Sequence, residues 1–462
     1  MTTNKAASHA HTSGSGQVYA TVLLCLINFF LFADQNLMAP NLTRIAHDFG
    51  MTDLERDVLL GGRIAMGFWL LGGIVTLATG WFTDRVSRRK LFLAIVMIGE
   101  IPCLLTGFAQ NYPQMIVLRA LTGIGLGGVL PLTNSLLGDM FPQEHRAKAF
   151  GLVGVASGLG IAVGQMVAGF TADSCLGTLC GWRIPFVVVA APGFLVALLY
   201  WITVPEPSRG KTERGLKTLI EDGRTYTAKI TWSEYRDLFR NRTNILLILQ
   251  TLPGIVPWSV LFIYLNDFLA QEKGYSVPVA TTICMVLGVG ILAGIAASGF
   301  IGDWIFRRSA KMLAWYVGFS ILAGIVPTLC IFLYPSQAGA IDPDYTTLMV
   351  LSLATGFIIA QSGANCRAML VNVNLPEARG SMSALYNIVD DLGRGFGPFF
   401  VSLIIMAMGR ESAFIITPFF WVPCALIFFL IGRTLPGDVA ALDRTLKERA
   451  GTMVTARGGN SA

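Results

Sequence analysis

The sequence predicts an all-α integral membrane protein, with twelve transmembrane helices in two pseudo-symmetric six-helix bundles. Three observations predict it. The chain is 53% hydrophobic and only 13% charged, with a mean hydropathy of +0.61; a soluble domain carries about 25% charged residues. Its 50 glycines suit helices packed closely in lipid. Finally, one pattern occurs twice. A hydrophobic run ends in Gly80-Trp81-Phe82-Thr83-Asp84-Arg85 and closes on Arg88-Arg89; another ends in Gly299-Phe300-Ile301-Gly302-Asp303 and closes on Arg307-Arg308. The copies lie 219 positions apart, close to half of the 462 residues.

A spanning helix needs about 20 mostly apolar residues. Such segments fall at 18–39, 58–80, 90–109, 113–136, 149–172, 183–204, 244–271, 277–300, 311–334, 346–371, 380–408 and 412–433. Each is cut from the next by a polar or Pro/Gly-bearing break. The longest polar stretch, 205–243, falls between spans 6 and 7. The predicted organisation is therefore a tail (1–17), a six-helix bundle (18–204), a linker (205–243), a second bundle (244–433) and a tail (434–462). The polar tail 1–17 reads as neither a signal nor a transit peptide, so span 1 is expected to remain as an anchor.

Charge sets the orientation. Of the 34 Lys and Arg, 25 fall on the side that holds both tails and the linker, which is therefore expected to be cytoplasmic. The opposite loops lean acidic, with Asp48, Asp53, Glu55, Asp57, Asp342 and Asp344. In the linker, Trp232, Tyr235, Leu238 and Phe239 make a helical stripe. An amphipathic helix there either lies on the membrane surface or packs on the protein's own face. Six cysteines inside spans read as small core residues. Cys175 and Cys180 share an outer loop, where an oxidising compartment either bridges them or leaves two thiols.

Other classes are excluded. No basic run with interleaved aromatics points to nucleic acid. The four histidines lie in tails or loops without metal-ligand spacing. There is no phosphate-binding Gly-x-x-x-x-Gly-Lys-Ser/Thr loop, and no nucleophile–base set. No enzyme activity, cofactor or metal is expected.

The duplication extends past the opening motif. Pro142 to Arg146 introduces span 5, and Pro376 to Arg379 introduces span 11; a shift of 233 superposes Arg146 on Arg379, Gly160 on Gly393 and Gly164 on Gly397. Here the chain resembles the major facilitator superfamily. Gly80, Asp84, Arg85, Arg88 and Arg89 match its hallmark between spans 2 and 3, with Ser87 in place of the usual Gly. Arg119-Ala-Leu-Thr-Gly123-Ile-Gly125 matches the span 4 hallmark. Within the superfamily the texture is similar to spinster-type lysolipid transporters, through Asp34 and Pro205-Glu206-Pro207-Ser208-Arg209. It departs from them at Gln35 and Leu126, where those proteins carry an Arg and a Glu.

The resemblance implies a monomeric secondary transporter working by alternating access in a bacterial-type plasma membrane, in contact with membrane lipids. It implies proton coupling and an amphipathic or organic-anion solute, with a lysophospholipid favoured. A drug or hydrophobic organic acid is the alternative cargo, and a non-transporting sensor of the same fold the alternative class. On the predicted topology the repeated motifs fall where they can latch the halves together while the cavity faces outward, through Gly80, Asp84, Arg85, Arg88, Asp139 and Arg146 in one half and Asp303, Arg307 and Arg379 in the other; the alternative is charges that only set the topology.

An ionisable residue at membrane depth costs about 2.5–3.5 kcal/mol on insertion scales, so each needs a partner or a role. Asp34, Arg63 and Arg119 fall at one depth. Asp34 is expected to pair with Arg119 or Arg63 in one state and take a proton in another, or to form a permanent ion pair. Arg119 suits an anionic head group through its planar fork. Asp390 and Asp391 both reach Arg394 along one helix face, leaving one carboxylate over for proton coupling or for steadying the helix. Glu100, in mid-span 3, is a further proton candidate, or finds a partner. Trp258 and Tyr264 follow Pro253 and Pro257 in span 7 and read as cavity aromatics or packing residues. Gln361, Asn365 and Arg367 read as cavity residues of span 10, with Arg367 also able to snorkel.

Overall fold

The computed structural model describes residues 14–83, 86–141, 143–206, 241–338, 344–374 and 376–458. Among these, eleven helices are long and apolar enough to cross a membrane. The other predicted span is the helix Arg88–Thr106, which opens on Arg88-Arg89-Lys90 and buries Glu100. Together these are the twelve helices of the predicted fold, in two pseudo-symmetric bundles. The linker stripe at 232–239 lies outside the described residues.

Several spans are interrupted, each with a local cause. Span 1 runs as a helix over Gly14–Ala33, tightens into single turns at Asp34–Asn36 and Ala39–Asn41, and resumes at Leu42–Asp48. Pro40 lacks the N–H that would continue the ladder. Span 7 is three helical pieces, Arg242–Leu249, Thr251–Ser259 and Leu265–Gln271, with a wide π turn at Val260–Tyr264. Pro253 and Pro257 fall in its middle piece. Span 12 continues as helix to Gly458, well past residue 433 where its apolar run ends. Ala, Leu, Lys and Arg sustain helix in water, and Asp438 ties this extension to span 7 by accepting from Thr243 N at 3.1 Å and Thr243 Oγ1 at 2.6 Å. In the loop before span 6, Cys175–Leu176 pairs antiparallel with Leu179–Cys180, and a disulfide joins Cys175 to Cys180.

Glycine sets the helix spacing. A Cβ at Gly123 would strike the Phe68 backbone, and one at Gly127 the Gly72 backbone, so spans 4 and 2 meet main chain to main chain. On its other side, span 4 brings Gly125 against Gly99 of span 3. The second half repeats the first pairing between spans 8 and 10, with Gly290 on Leu353, Gly294 on Phe357 and Gly356 on Leu287. The superposed glycines also repeat. Gly160 and Gly164 of span 5 sit on Phe29 and Ala33 of span 1, while Gly393 and Gly397 of span 11 sit on Ile255 and Ser259 of span 7.

The halves touch where their spans approach the side opposite the chain ends. Gly61 receives the Tyr264 ring, Gly62 faces Ser402 and Phe399, Gly169 faces Thr281, and Gly395 faces Trp69. The named contact nearest the other side is Gly73 with Leu392 and Asp391. We call the side bearing the chain ends the basic side.

Replacing Gly127 with Val forces spans 2 and 4 apart. Overpacking of this kind costs about 1–3 kcal/mol, and the purified variant is expected to melt several degrees below the wild type in a detergent thermal-stability assay.

Candidate functional site

Between the halves lies a cavity of about 420 Å³. Three arginines line it (Arg119, Arg367 and Arg394) with one acid, Asp390; its walls include Phe68, Trp69, Trp258, Phe262, Tyr386 and Trp421. Arg394 donates to Asp390 at 2.9 Å and stands 5.2 Å from the centre of the Trp69 ring. Trp258 and Phe262 stack with centroids 5.4 Å apart, a flat platform for an apolar body. Asp391 faces Gly73 of span 2 and makes no ion pair among the described residues.

Arg119 is buried and turns into the break in span 1. Its Nη2 donates to the Asp34 carbonyl at 2.8 Å and the Gln35 carbonyl at 3.3 Å. The guanidinium lies 4.9 Å from the centre of the Phe68 ring and 5.6 Å from that of Phe186. The helix interruption leaves those carbonyls free to accept, so the arginine binds backbone here rather than the Asp34 carboxylate. Both Glu100 carboxylate oxygens are buried without a hydrogen-bond partner, and the buried Asp34 carboxylate meets no polar group but the Cys103 thiol.

Other sequence candidates lie elsewhere. Arg63 is exposed and off the cavity wall. Gln361 knits spans 8, 9 and 10: it accepts from Tyr316 Oη at 2.9 Å and donates to Gly294 and Phe357 carbonyls. Asn365 donates to the Gln361 carbonyl at 2.8 Å and packs on Gly302. Tyr264 is buried outside the cavity, donating to the Asp57 carbonyl at 3.1 Å.

A family model described as Major Facilitator Superfamily matches residues 24–341. The chain belongs to the major facilitator superfamily. It is 24% identical over 442 residues to the D-galactonate transporter of Escherichia coli O6:H1, covering 91% of this chain and 94% of that one. It is also 24% identical over 406 residues to multidrug resistance protein MdtG of Proteus mirabilis, covering 87% and 91%. Among solved structures it resembles a bacterial homologue of the human lysosomal transporter Spinster in an inward-facing, unoccupied conformation. There the TM-score is 0.79 at 23% identity, covering 92% of this chain and 99% of that one. As a member of this superfamily the chain is a membrane transporter of organic substrates.

The superfamily hallmark after span 2 is partly visible. Asp84 and Arg85 lie outside the described residues, as do the side-chain surroundings of Gly80, Arg146 and Arg379. Arg88 is buried against Asp139 of span 4 and lies 3.8 Å from Glu206. Glu206 also accepts from Ser87 Oγ at 2.5 Å and Arg88 N at 2.9 Å. These contacts all stay within the first half. Asp303 and Arg307 are exposed and make no ion pair among the described residues. Partial burial pushes the Glu206 carboxyl up, but the bonds from Ser87 and Arg88 and the Arg88 charge hold it below the usual carboxylate range.

On the opposite side, sequence reasoning missed a network joining the halves. Arg410 donates to Asp267 at 2.7 Å and Glu272 at 2.8 Å, and lies 3.5 Å from Asp57. Arg56 lies 3.0 Å from Asp57 and 3.6 Å from Asp267. Asp267 also accepts from Thr43 N at 3.0 Å and Thr43 Oγ1 at 2.7 Å. Arg56, Asp57 and Asp267 are all buried. The signal available in sequence was an arginine beside acids at the ends of spans 2 and 12.

Arg410→Gln leaves Asp57, Asp267 and Glu272 with Arg56 alone; breaking a buried pair costs about 3–5 kcal/mol. Spin labels at Leu54 and Glu411 are expected to show a longer, broader distance distribution than in the otherwise wild-type protein. Glu206→Gln is expected to lower stability by about 1 kcal/mol at pH 7. Because the folded-state value is depressed, this stabilisation is full above the ordinary carboxylate range and lost as pH falls through the depressed value. Thermal melts of the two proteins should therefore converge under strong acid.

Proposed function

We propose that this transporter moves a small organic anion with an apolar body, coupled to protons, by alternating access. One observation carries the reading: a cavity with three arginines against one carboxylate, walled by aromatic rings. Arg394 and Arg367 offer planar donors to a carboxylate, and the Trp258–Phe262 stack offers the face for the apolar part. The volume of about 420 Å³ sits toward the lower end of small-molecule pockets, about 300–1,000 Å³. That size favours a compact acid over a lysophospholipid carrying a full acyl chain. The name of the D-galactonate relative, a carboxylate, supports the same class. A drug-like cargo draws support from the aromatic walls and from the multidrug relative.

The basic side is the cytoplasmic one in this reading, supported by 25 of 34 Lys and Arg on it and the positive-inside rule. The membrane is then a bacterial-type inner membrane, with residues 18–204 and 244–433 as the rocking halves. The contacts between the halves on the opposite side then describe an inward-facing state. Asp34 is the proton carrier: a buried carboxylate that meets no cation with its oxygens and only a thiol beside them is costly while charged.

Proteoliposomes offered sugar acids, hydrophobic acids, a cationic drug and a lysophospholipid, with and without a proton gradient, test this. Accumulation of an acid that needs the gradient and disappears in Asp34→Asn is expected, with the variant still folded by thermal melt. Gradient-driven uptake that survives in Asp34→Asn would remove Asp34 from the coupling role. Selective uptake of the lysophospholipid or the drug would replace the substrate class.

A further inference from the structure

Spans 1, 3 and 4 bring a second carboxylate to Asp34. Leu31 of span 1 meets Gly99 of span 3, one turn before Asp34 and one residue before Glu100. Glu100 reaches across span 3 to Gly193 of span 6, where a Cβ would collide with its carboxylate. Cys103, one turn beyond Glu100, lies against Asp34, with its Sγ 4.0 Å from Arg119 Nη1. Asp34, Glu100 and Arg119 are each at most 2% exposed; neither Glu100 carboxylate oxygen has a hydrogen-bond partner, and the Asp34 carboxylate meets only the Cys103 thiol.

The charge count then matters. Two carboxylates and one guanidinium leave a net −1 in a site shut from water. An unpaired buried charge is far costlier than a neutral group, and two like charges sharing a site do not both stay ionised. One proton makes the trio neutral. The other groups on the elements packed here add no charge: Cys103 is a thiol, and spans 5 and 6 present Gly164 and Gly193.

We propose that Asp34 and Glu100 form a single proton site that holds one shared proton, with the number set by the charge of Arg119. This rests on the proton-coupled reading above and changes its carrier from one residue to a pair. Glu100 is then a second coupling residue, on span 3.

Infrared spectroscopy of the purified protein in H₂O and D₂O counts protonated carboxyls without needing a substrate. Relative to wild type, both Asp34→Asn and Glu100→Gln are expected to lose one protonated-carboxyl band, because either variant leaves one carboxylate balanced by Arg119. Arg119→Gln is expected to gain one, because two carboxylates without a cation need two protons; this variant keeps the test open should a carboxylate variant fail to fold. A band unchanged in Glu100→Gln would leave the proton on Asp34 alone. A band unchanged in Asp34→Asn would make Glu100 a permanently neutral acid. An intensity unchanged in Arg119→Gln would break the link to its charge. Each of these overturns the proposal. In proteoliposomes, Glu100→Gln is expected to lose gradient-driven accumulation as Asp34→Asn does. Failure of the organic-anion reading would show as no solute movement in wild type while the infrared count held.

Discussion

Two arginines and three carboxylates, drawn from both halves and largely shut away from water, hold one side of this protein closed. Arg410 alone reaches Asp57 of the first half and Asp267 and Glu272 of the second. Buried ion pairs contribute little net stability, because desolvation offsets much of their attraction. They are nevertheless expensive to break one partner at a time. That asymmetry suits a gate: the closed arrangement is well defined, and opening requires the whole set to part together. The packing beneath it follows the same side, with Tyr264 seated in the notch at Gly61 and Gly62 against Ser402. The cavity therefore begins where this plug ends.

The constraint within each half is different. Lipid supplies no hydrophobic drive between helices, so close packing and small residues do the work. Spans 2 and 4 meet through Gly72, Gly123 and Gly127, and spans 8 and 10 through Gly290, Gly294 and Gly356. Such backbone contacts have no flexible side chain to give way. Each half is consequently packed closely at these contacts, and the proposed rocking would fall to the surfaces between the halves. The gate between such bodies can then be a small number of side chains.

Much of this was legible from residues alone. Spans are legible because lipid demands long apolar runs, and the duplication because Gly160 with Gly393 and Gly164 with Gly397 make matching helix contacts. Pairings inside the membrane were less so. Depth placed Asp34 beside Arg119, but depth does not say which atom the guanidinium meets. That was decided by the break near Pro40, which frees the Asp34 and Gln35 carbonyls. Polar type was a poor guide at Gln361, whose bonds knit neighbouring spans, and at Asn365, which bonds back along its own span; neither lines the cavity. Tyr264 has the same history: an aromatic beside prolines looked like a cavity wall, yet its ring and hydroxyl serve the contact between halves. Arg56 and Arg410 read as loop charges because the acids that join them across the halves, Asp267 for Arg56 and Asp57, Asp267 and Glu272 for Arg410, come from distant spans.

The two charge clusters divide the labour by where their members sit. The gate draws on both halves, so the proposed rocking would dismantle it. Asp34, Glu100 and Arg119 all belong to the first half, so the proposed rocking would leave them together, and in the proposed coupling their charge changes only when a proton arrives or leaves. Span 1 connects the two. Its interruption offers the carbonyls that hold Arg119, and its last helical piece carries Thr43, which donates to Asp267 in the gate. A proton that alters the pull on Arg119 acts on the same short stretch of chain that positions Thr43. In the proposed cycle the break in span 1 is thus the element through which the charge of the cluster and the state of the gate would bear on one another.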